Sequence, residues 1–187
     1  MRRFQNAVIG AAALVSAVGF TSVTEAAPVP QGTVALSAER LAASNVHVQP
    51  GPAVWVNQFF GAPGMTPFDT PRLGFDYFVI DGLSIGAHFG LGLYAHNEVD
   101  AWIALIPRVG YAFSIGRRVD FWPRVGVGLI AGDAAGNDTG VLSMEGMFLI
   151  NMVKHVDFEV GPAVDLPFGG FWPDAIIGGN AGIVARF

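Results

Sequence analysis

The sequence has no cysteine and little charge. Of its 187 residues, 52% are hydrophobic and only 13% are Asp, Glu, Lys or Arg, against about a quarter in soluble domains. Without cysteine no disulfide can staple the fold, which an oxidising periplasm permits and which decides nothing about function. So little charge cannot clothe a domain in water, and the composition calls for a non-aqueous surface. Long apolar runs are missing as well. Beyond Phe20 every candidate is interrupted by Pro, Gly or charge before reaching the roughly 20 residues that a membrane helix needs. The net charge of −5 makes nucleic acid a poor partner.

What is present is alternation. In Pro71 to Tyr94, Leu73, Phe75, Tyr77, Val79, Leu83, Ile85, Ala87, Phe89, Leu91 and Leu93 share one face. Arg72, Gly74, Asp76, Ser84, Gly86, His88, Gly90 and Gly92 share the other. A period of two is that of a strand. An apolar face opposed to one that is small or charged fits a barrel turned inside out, with lipid outside and polar groups within.

Met1-Arg2-Arg3, the apolar run Ala7 to Phe20 and the polar segment ending at Ala26 have the three regions of a secretory signal peptide. Residues 1–26 are therefore expected to be a leader and residues 27–187 a single barrel domain. Without residues 1–26 the chain has eight basic and fourteen acidic residues, net −6.

The same parity predicts the strands in order. Thr33 to Leu41 is the first, with Arg40 near the rim. Residues 42–70 hold four prolines and read as an outer excursion, in which Val54 to Phe60 either extends the first hairpin or lies against the outer leaflet. The next two strands meet at Asp81-Gly82. A two-residue loop there would set an inward position opposite an outward one, so parity predicts a three-residue loop. The resulting register places Asp76 opposite His88 and Phe78 opposite Gly86. Tyr94 to Asp100 is an outer loop and Ala101 to Ile115 the fourth strand. Phe121 to Ala131, Val141 to Met152, Val156 to Leu166 and Ile176 to Phe187 complete a count of about eight. Tight turns near residues 81, 117 and 155 fall on one side, with both chain ends.

Inside this expected barrel lies a candidate charge network of Glu39, Arg72, Asp76, His88, Arg108, Arg124, Glu145, Glu159, Asp165 and Arg186. The motif Pro-Arg-Leu/Val-Gly recurs at residues 71–74, 107–110 and 123–126. Its arginines could bind an anion, but with so many acids on the same face they are expected to pair with those acids while the glycines make room. An eight-stranded barrel has an interior that side chains fill. Pro107, Pro123 and Pro162 interrupt the ladders and call for bulges near the interfaces. Asp76 and His88 form the most catalytic-looking pair, but Ser84 lies roughly 13 Å from His88 along the strand, too far for direct proton transfer. The inward Ser37, Ser114 and Ser143 belong to other strands that the sequence does not place against it, and lumen charges more commonly satisfy one another. Asp133, Asn137 and Asp138 do not match a calcium loop, and no cofactor motif is present. The aromatic residues Trp102, Tyr111, Phe113, Phe121, Phe158 and Trp172 lie towards strand ends and, where they face outward, suit interfacial girdles.

The terminal strand IIGGNAGIVARF, with its outward alternating set and final Phe187, looks like the assembly signal of Gram-negative outer-membrane barrels. From Thr33 to Phe187 the chain resembles the small eight-stranded class typified by OmpA and OmpX. That resemblance implies an all-β, closed, antiparallel, up-and-down transmembrane barrel, inserted by the outer-membrane assembly machinery. It also implies a monomer in contact with outer-membrane lipid and lipopolysaccharide in the cell envelope. The expected role is non-enzymatic, structural or in surface interaction. The alternatives are a narrow, porin-like channel for small solutes and a lipid-modifying barrel enzyme.

Overall fold

Alternating side chains let a strand bury one face and leave the other to its surroundings, and most of the described residues do this. The computed structural model describes residues 28–48, 54–60, 66, 68–95, 99–132, 138–169 and 175–187. They form β1 (Val34–Val48), β2 (Val54–Phe60), β3 (Arg72–Ile80), β4 (Leu83–Ala95), β5 (Val99–Tyr111), β6 (Phe113–Ser114), β7 (Val119–Ala131), β8 (Thr139–Val153), β9 (Val156–Phe168) and β10 (Ala175–Arg186). The expected leader, residues 1–26, lies outside the described residues.

The ten strands make one antiparallel sheet that closes where β10 pairs with β1. Eight positions encircle the barrel because two of them are shared. β5 and β6 both pair with β7. β2 lies against the Ala42–Val48 half of β1, and β3 against the Val34–Glu39 half. The turns at 81–82, 115–118 and 154–155 lie at the same end as Val34 and Phe187, the turn end. The opposite end is the loop end.

The outward face is apolar: Phe75 is 51% exposed, Leu105 52% and Val127 55%. Inward residues are buried, and many of them are charged. No helix among the described residues is long and apolar enough to cross a membrane, so the strands supply the apolar surface.

Several local expectations are corrected. Ile80 pairs directly with Leu83 across a two-residue turn at Asp81-Gly82, with Gly82 at φ 79°. Parity is restored by a bulge at Val79, between the Phe78 and Ile80 pairs, and not by a three-residue loop. The register is therefore displaced by two residues, so that Asp76 faces Gly86, Phe78 faces Ser84 and Gly74 faces His88.

Of the two readings of Val54 to Phe60, the hairpin extension is the one the structure takes. β1 runs on to Val48, and β2 folds back along it, extending the hairpin. Phe68, Asp69 and Thr70 then turn into the lumen and are buried. The outer loop expected from Tyr94 to Asp100 is shorter, because β4 reaches Ala95 and β5 begins at Val99. The fourth strand is interrupted at Ala112, whose N–H bonds to the Gly82 carbonyl at 2.7 Å, in register with the Leu83–Tyr111 pair.

The prolines also depart from expectation, since no bulge accompanies them. Pro107 stands opposite Ala87, Pro123 opposite Gly146 and Pro162 opposite Gly179, in unshifted register. On the other side of each strand the residue pairs pause at the proline and resume in the same register. A missing N–H thus costs a local gap in one ladder without inserting a residue.

Candidate functional site

The lumen is layered along its axis. At the turn end Val29, Ala35, Phe78, Ala112, Trp122, Leu149 and Val184 form an apolar cluster. Val29 is held there by the segment before β1, since its carbonyl accepts from Gly82 N at 2.7 Å and Gly32 N donates to Phe78 O at 2.8 Å. Towards the loop end Phe68, Trp102, Ala104, Ile106, Ile130, Val141 and Ile176 form a second apolar cluster. Between the two lie the charges.

Glu39 sits at the centre. Its carboxylate accepts from Arg108 at 2.6 and 2.9 Å, Arg124 at 2.9 Å, Ser37 Oγ at 2.7 Å and His88 Nδ1 at 3.1 Å. Arg108 also grips Asp76 through its Nε at 3.1 Å and through a shorter bond from Nη2. Arg124 reaches Glu145 at 2.9 Å and Glu159 at 3.4 Å. Its guanidinium lies 4.6 Å from the Trp122 ring centroid, a cation–π contact that ties the charged layer to the apolar one beneath. Arg72 meets His88 Nε2 at 3.0 Å and Asp165 at 3.5 Å.

Arg40 corrects the expectation most strongly, for it does not lie near the rim. It is 2% exposed, at φ 55°, within a bulge of β1 between the pairs Ala38–Ile183 and Ala42–Ala181. The bulge turns two successive residues, Glu39 and Arg40, into the lumen. Arg40 donates to Asp165 at 2.7 and 3.1 Å and to the Phe68 carbonyl at 3.0 Å. Ser143 Oγ completes the Asp165 site at 2.6 Å. Above it, Asp69 accepts from Asn45 and Thr66, each at 2.7 Å, and meets His47 at 3.1 Å.

Nine of the ten residues expected in the network are joined in this layer. Arg186 stands apart at the turn end, bonded to Asp157 at 2.5 Å and Asp120 at 2.6 Å. The glycines of the repeated motif do make room: a Cβ at Gly74 would lie 2.7 Å from Arg108 Nη2, and one at Gly110 2.9 Å from Arg124 Cγ. Trp102 proves to be inward and buried, a lid over the charges and not a girdle residue. Trp172 and the acidic-loop residues Asp133 and Asn137 lie outside the described residues, and Asp138 is exposed.

Sequence reasoning missed Arg40 and the inward turn of Phe68 and Asp69. Neither left a local signal, because a bulge and a plug are defined only by partners distant in the chain.

Among the described residues of the lumen no nucleophile, base and orienting acid are brought together. Asp76 is held by Arg108 and His88 by Glu39 and the arginines, so the expected Asp76–His88 pair does not form. The four inward serines have other partners: Ser37 bonds to Glu39, Ser84 accepts from the Trp122 indole, Ser114 bonds to Asp120 and Ser143 to Asp165. Glu39, His88 and Glu145 have ligand atoms within 4.8 Å of one another. Arg108 and Arg124 already occupy the Glu39 oxygens, and their charge opposes a cation, so the donor set does not fit a metal. The gaps among His88, Arg108, Arg124 and Glu145 have no room for a water molecule.

No protein-family model matches the chain, and neither does any curated protein sequence. Solved structures do. Neisserial surface protein A is 14% identical with a TM-score of 0.56, covering 84% of this chain and 100% of that one. Ail, the attachment invasion locus protein of Yersinia pestis, is 14% identical with a TM-score of 0.50, covering 84% and 99%. The N-terminal β-barrel domain of Pseudomonas aeruginosa OprF is 10% identical with a TM-score of 0.50, covering 84% and 98%. At such identities the likeness is one of fold, that of the small eight-stranded outer-membrane barrels.

Proposed function

We propose that this chain is an integral outer-membrane barrel without enzymatic activity, whose lumen is a structural core and whose role is structural or in surface interaction through its loop end. The observation that carries this reading is a charged layer enclosed between two apolar layers, inside a wall whose outer face is itself apolar. Lipid is the solvent that such a wall fits. Ions would have to pass Trp122 and Phe78 at one end and Phe68 and Trp102 at the other. On this reading residues 1–26 direct export, and the last strand with Phe187 is read by the outer-membrane assembly machinery. The folded monomer then lies among outer-membrane lipid and lipopolysaccharide.

The surface role has a chemical direction. Ail has been solved in complex with the heparin analogue sucrose octasulfate, a polyanion. Here residues 94–100, 132–140 and 167–174 contain five acids, Glu98, Asp100, Asp133, Asp138 and Asp174, and neither Lys nor Arg. Such loops suit a neutral or cationic partner better than a polyanion.

Cell fractionation and detergent-gel mobility test the membrane assignment. The protein is expected in the outer membrane, with unboiled and boiled samples migrating differently. A soluble protein with no heat-shifted band would overturn the reading. In planar bilayers the wild type is expected to be silent, and reproducible unit steps lost on R108Q or R124Q would favour a channel instead.

A further inference from the structure

Basic side chains are segregated by height in this barrel. Of ten Lys and Arg, Arg2 and Arg3 fall in the expected leader and Arg40, Arg72, Arg108 and Arg124 in the lumen. The other four, Arg117, Arg118, Lys154 and Arg186, are all at the turn end. Arg186 is committed to Asp120 and Asp157. Arg117, Arg118 and Lys154 are exposed.

The two turns that carry these residues adjoin at the end of the β7–β8 ladder. The Arg118 carbonyl accepts from Asn151 N at 2.8 Å, which joins its turn to the end of β8, and the next turn carries Lys154. Just inside this rim the outward aromatics form a ladder across β5, β6, β7 and β8. Ring centroids are 6.3 Å apart for Tyr111–Phe113, 5.6 Å for Phe113–Phe121 and 4.9 Å for Phe121–Phe148.

We propose that Arg117, Arg118 and Lys154, with the aromatic ladder from Tyr111 to Phe148, form a binding surface for anionic phospholipid headgroups of the leaflet that meets the turn end. The inference rests on the membrane reading above and goes beyond it in naming a face and a charge. Aromatic rings settle at the headgroup boundary. Arg118 follows only three residues before Phe121, about 10 Å along a strand, so its guanidinium lies at phosphate height. Long basic side chains extend to such a plane while their stems cover apolar surface. The nearby acids do not cancel the patch: Asp120 and Asp157 are turned to Arg186, and Asp81, on another turn, accepts from Gln31 N. A phospholipid is favoured over peptidoglycan because the basic groups sit beside the girdle, at the membrane surface, and not on an extension away from it.

The test is lipid selectivity in vesicles of phosphatidylcholine with and without phosphatidylglycerol, read from spin-labelled lipids immobilised at the protein. The wild type is expected to prefer labelled phosphatidylglycerol by about fivefold or more, since one basic residue near a charged surface already supplies about that factor. The preference should shrink in about 0.5 M salt and vanish in R117Q/R118Q/K154Q that still shows the heat-shifted band. If the triple variant does not fold, the single variant R118Q should lose part of the preference. No preference in the wild type, or full preference in a folded variant, would overturn the proposal. So would retention on purified peptidoglycan, dependent on the same three residues, in place of lipid selectivity. A wild type that inserts into neither vesicle defeats the membrane reading itself.

Discussion

Arg40 and Asp165 are 125 positions apart in the chain and form two hydrogen bonds, at 2.7 and 3.1 Å, inside the barrel. The contact exists because β1 bulges between Ala38 and Ala42, which turns Arg40 into the lumen, and because only β10 lies between β1 and β9. Arg40 also holds the Phe68 carbonyl. One side chain therefore connects the barrel wall, the charged layer and the segment that closes the loop end.

Removing either partner should cost more than removing both. R40M and D165L each leave a buried charge unmatched and are expected to lower stability by about 3 kcal/mol or more. R40M/D165L should cost less than either change alone. Urea titrations of the protein folded in lipid vesicles would measure the cycle, and simple additivity would show that the pair does not act as a unit.

Phe68 behaves as a core residue although it comes from the proline-rich segment. It is fully buried among Trp102, Ile106 and Ile130. F68A is expected to cost about 3–5 kcal/mol, whereas F75A, which faces outward, should cost distinctly less. Equal effects in the same urea titrations would mean that Phe68 does not pack in the lumen.

Lipid contact should show a depth profile. Leu105 is 52% exposed near the middle of β5, and Met152 is 62% exposed near the turn end of β8. L105R is expected to destabilise the inserted barrel by about 2–4 kcal/mol and M152R by at most about 1 kcal/mol. A soluble barrel would show no such gradient, so comparing the folded fractions of the two variants tests the environment directly.

Two glycines in strands should respond oppositely to a methyl group. At Gly74 a Cβ would lie 2.7 Å from Arg108 Nη2 and close to Ser37 and Glu39, whereas at Gly179 nothing lies within 4 Å. G74A is expected to cost about 1–3 kcal/mol through crowding of fixed side chains. G179A should stay within about 0.5 kcal/mol of the wild type. Heat-modifiable gel mobility across a denaturant series distinguishes them.

Alternation made the faces legible. The inward placement of Asp76, His88, Arg108 and Arg124 and the outward placement of Leu105, Val127 and Phe158 follow from position parity, a property of each strand alone. Which inward groups meet was less legible. Asp76 and His88 are separated because a bulge at Val79 displaces the β3–β4 register by two residues, a shift that preserves every face and so leaves no trace in the alternation. Arg40 departs even from parity, because its bulge sends two neighbouring residues to the same side.

The sequence by itself determined an antiparallel, all-β chain with an apolar outer face, a polar inner face, tight turns at one end and loops at the other. These features depend on periodicity and turn chemistry within short windows. Only the tertiary structure decided that Arg108 joins Glu39 to Asp76, that Arg40 enters the lumen, and that Phe68 and Trp102 close one end while Trp122 and Phe78 close the other. Each of these depends on register between strands far apart in the chain. Register is set where bulges and buried charge pairs compete across the whole barrel, and no single strand records the outcome.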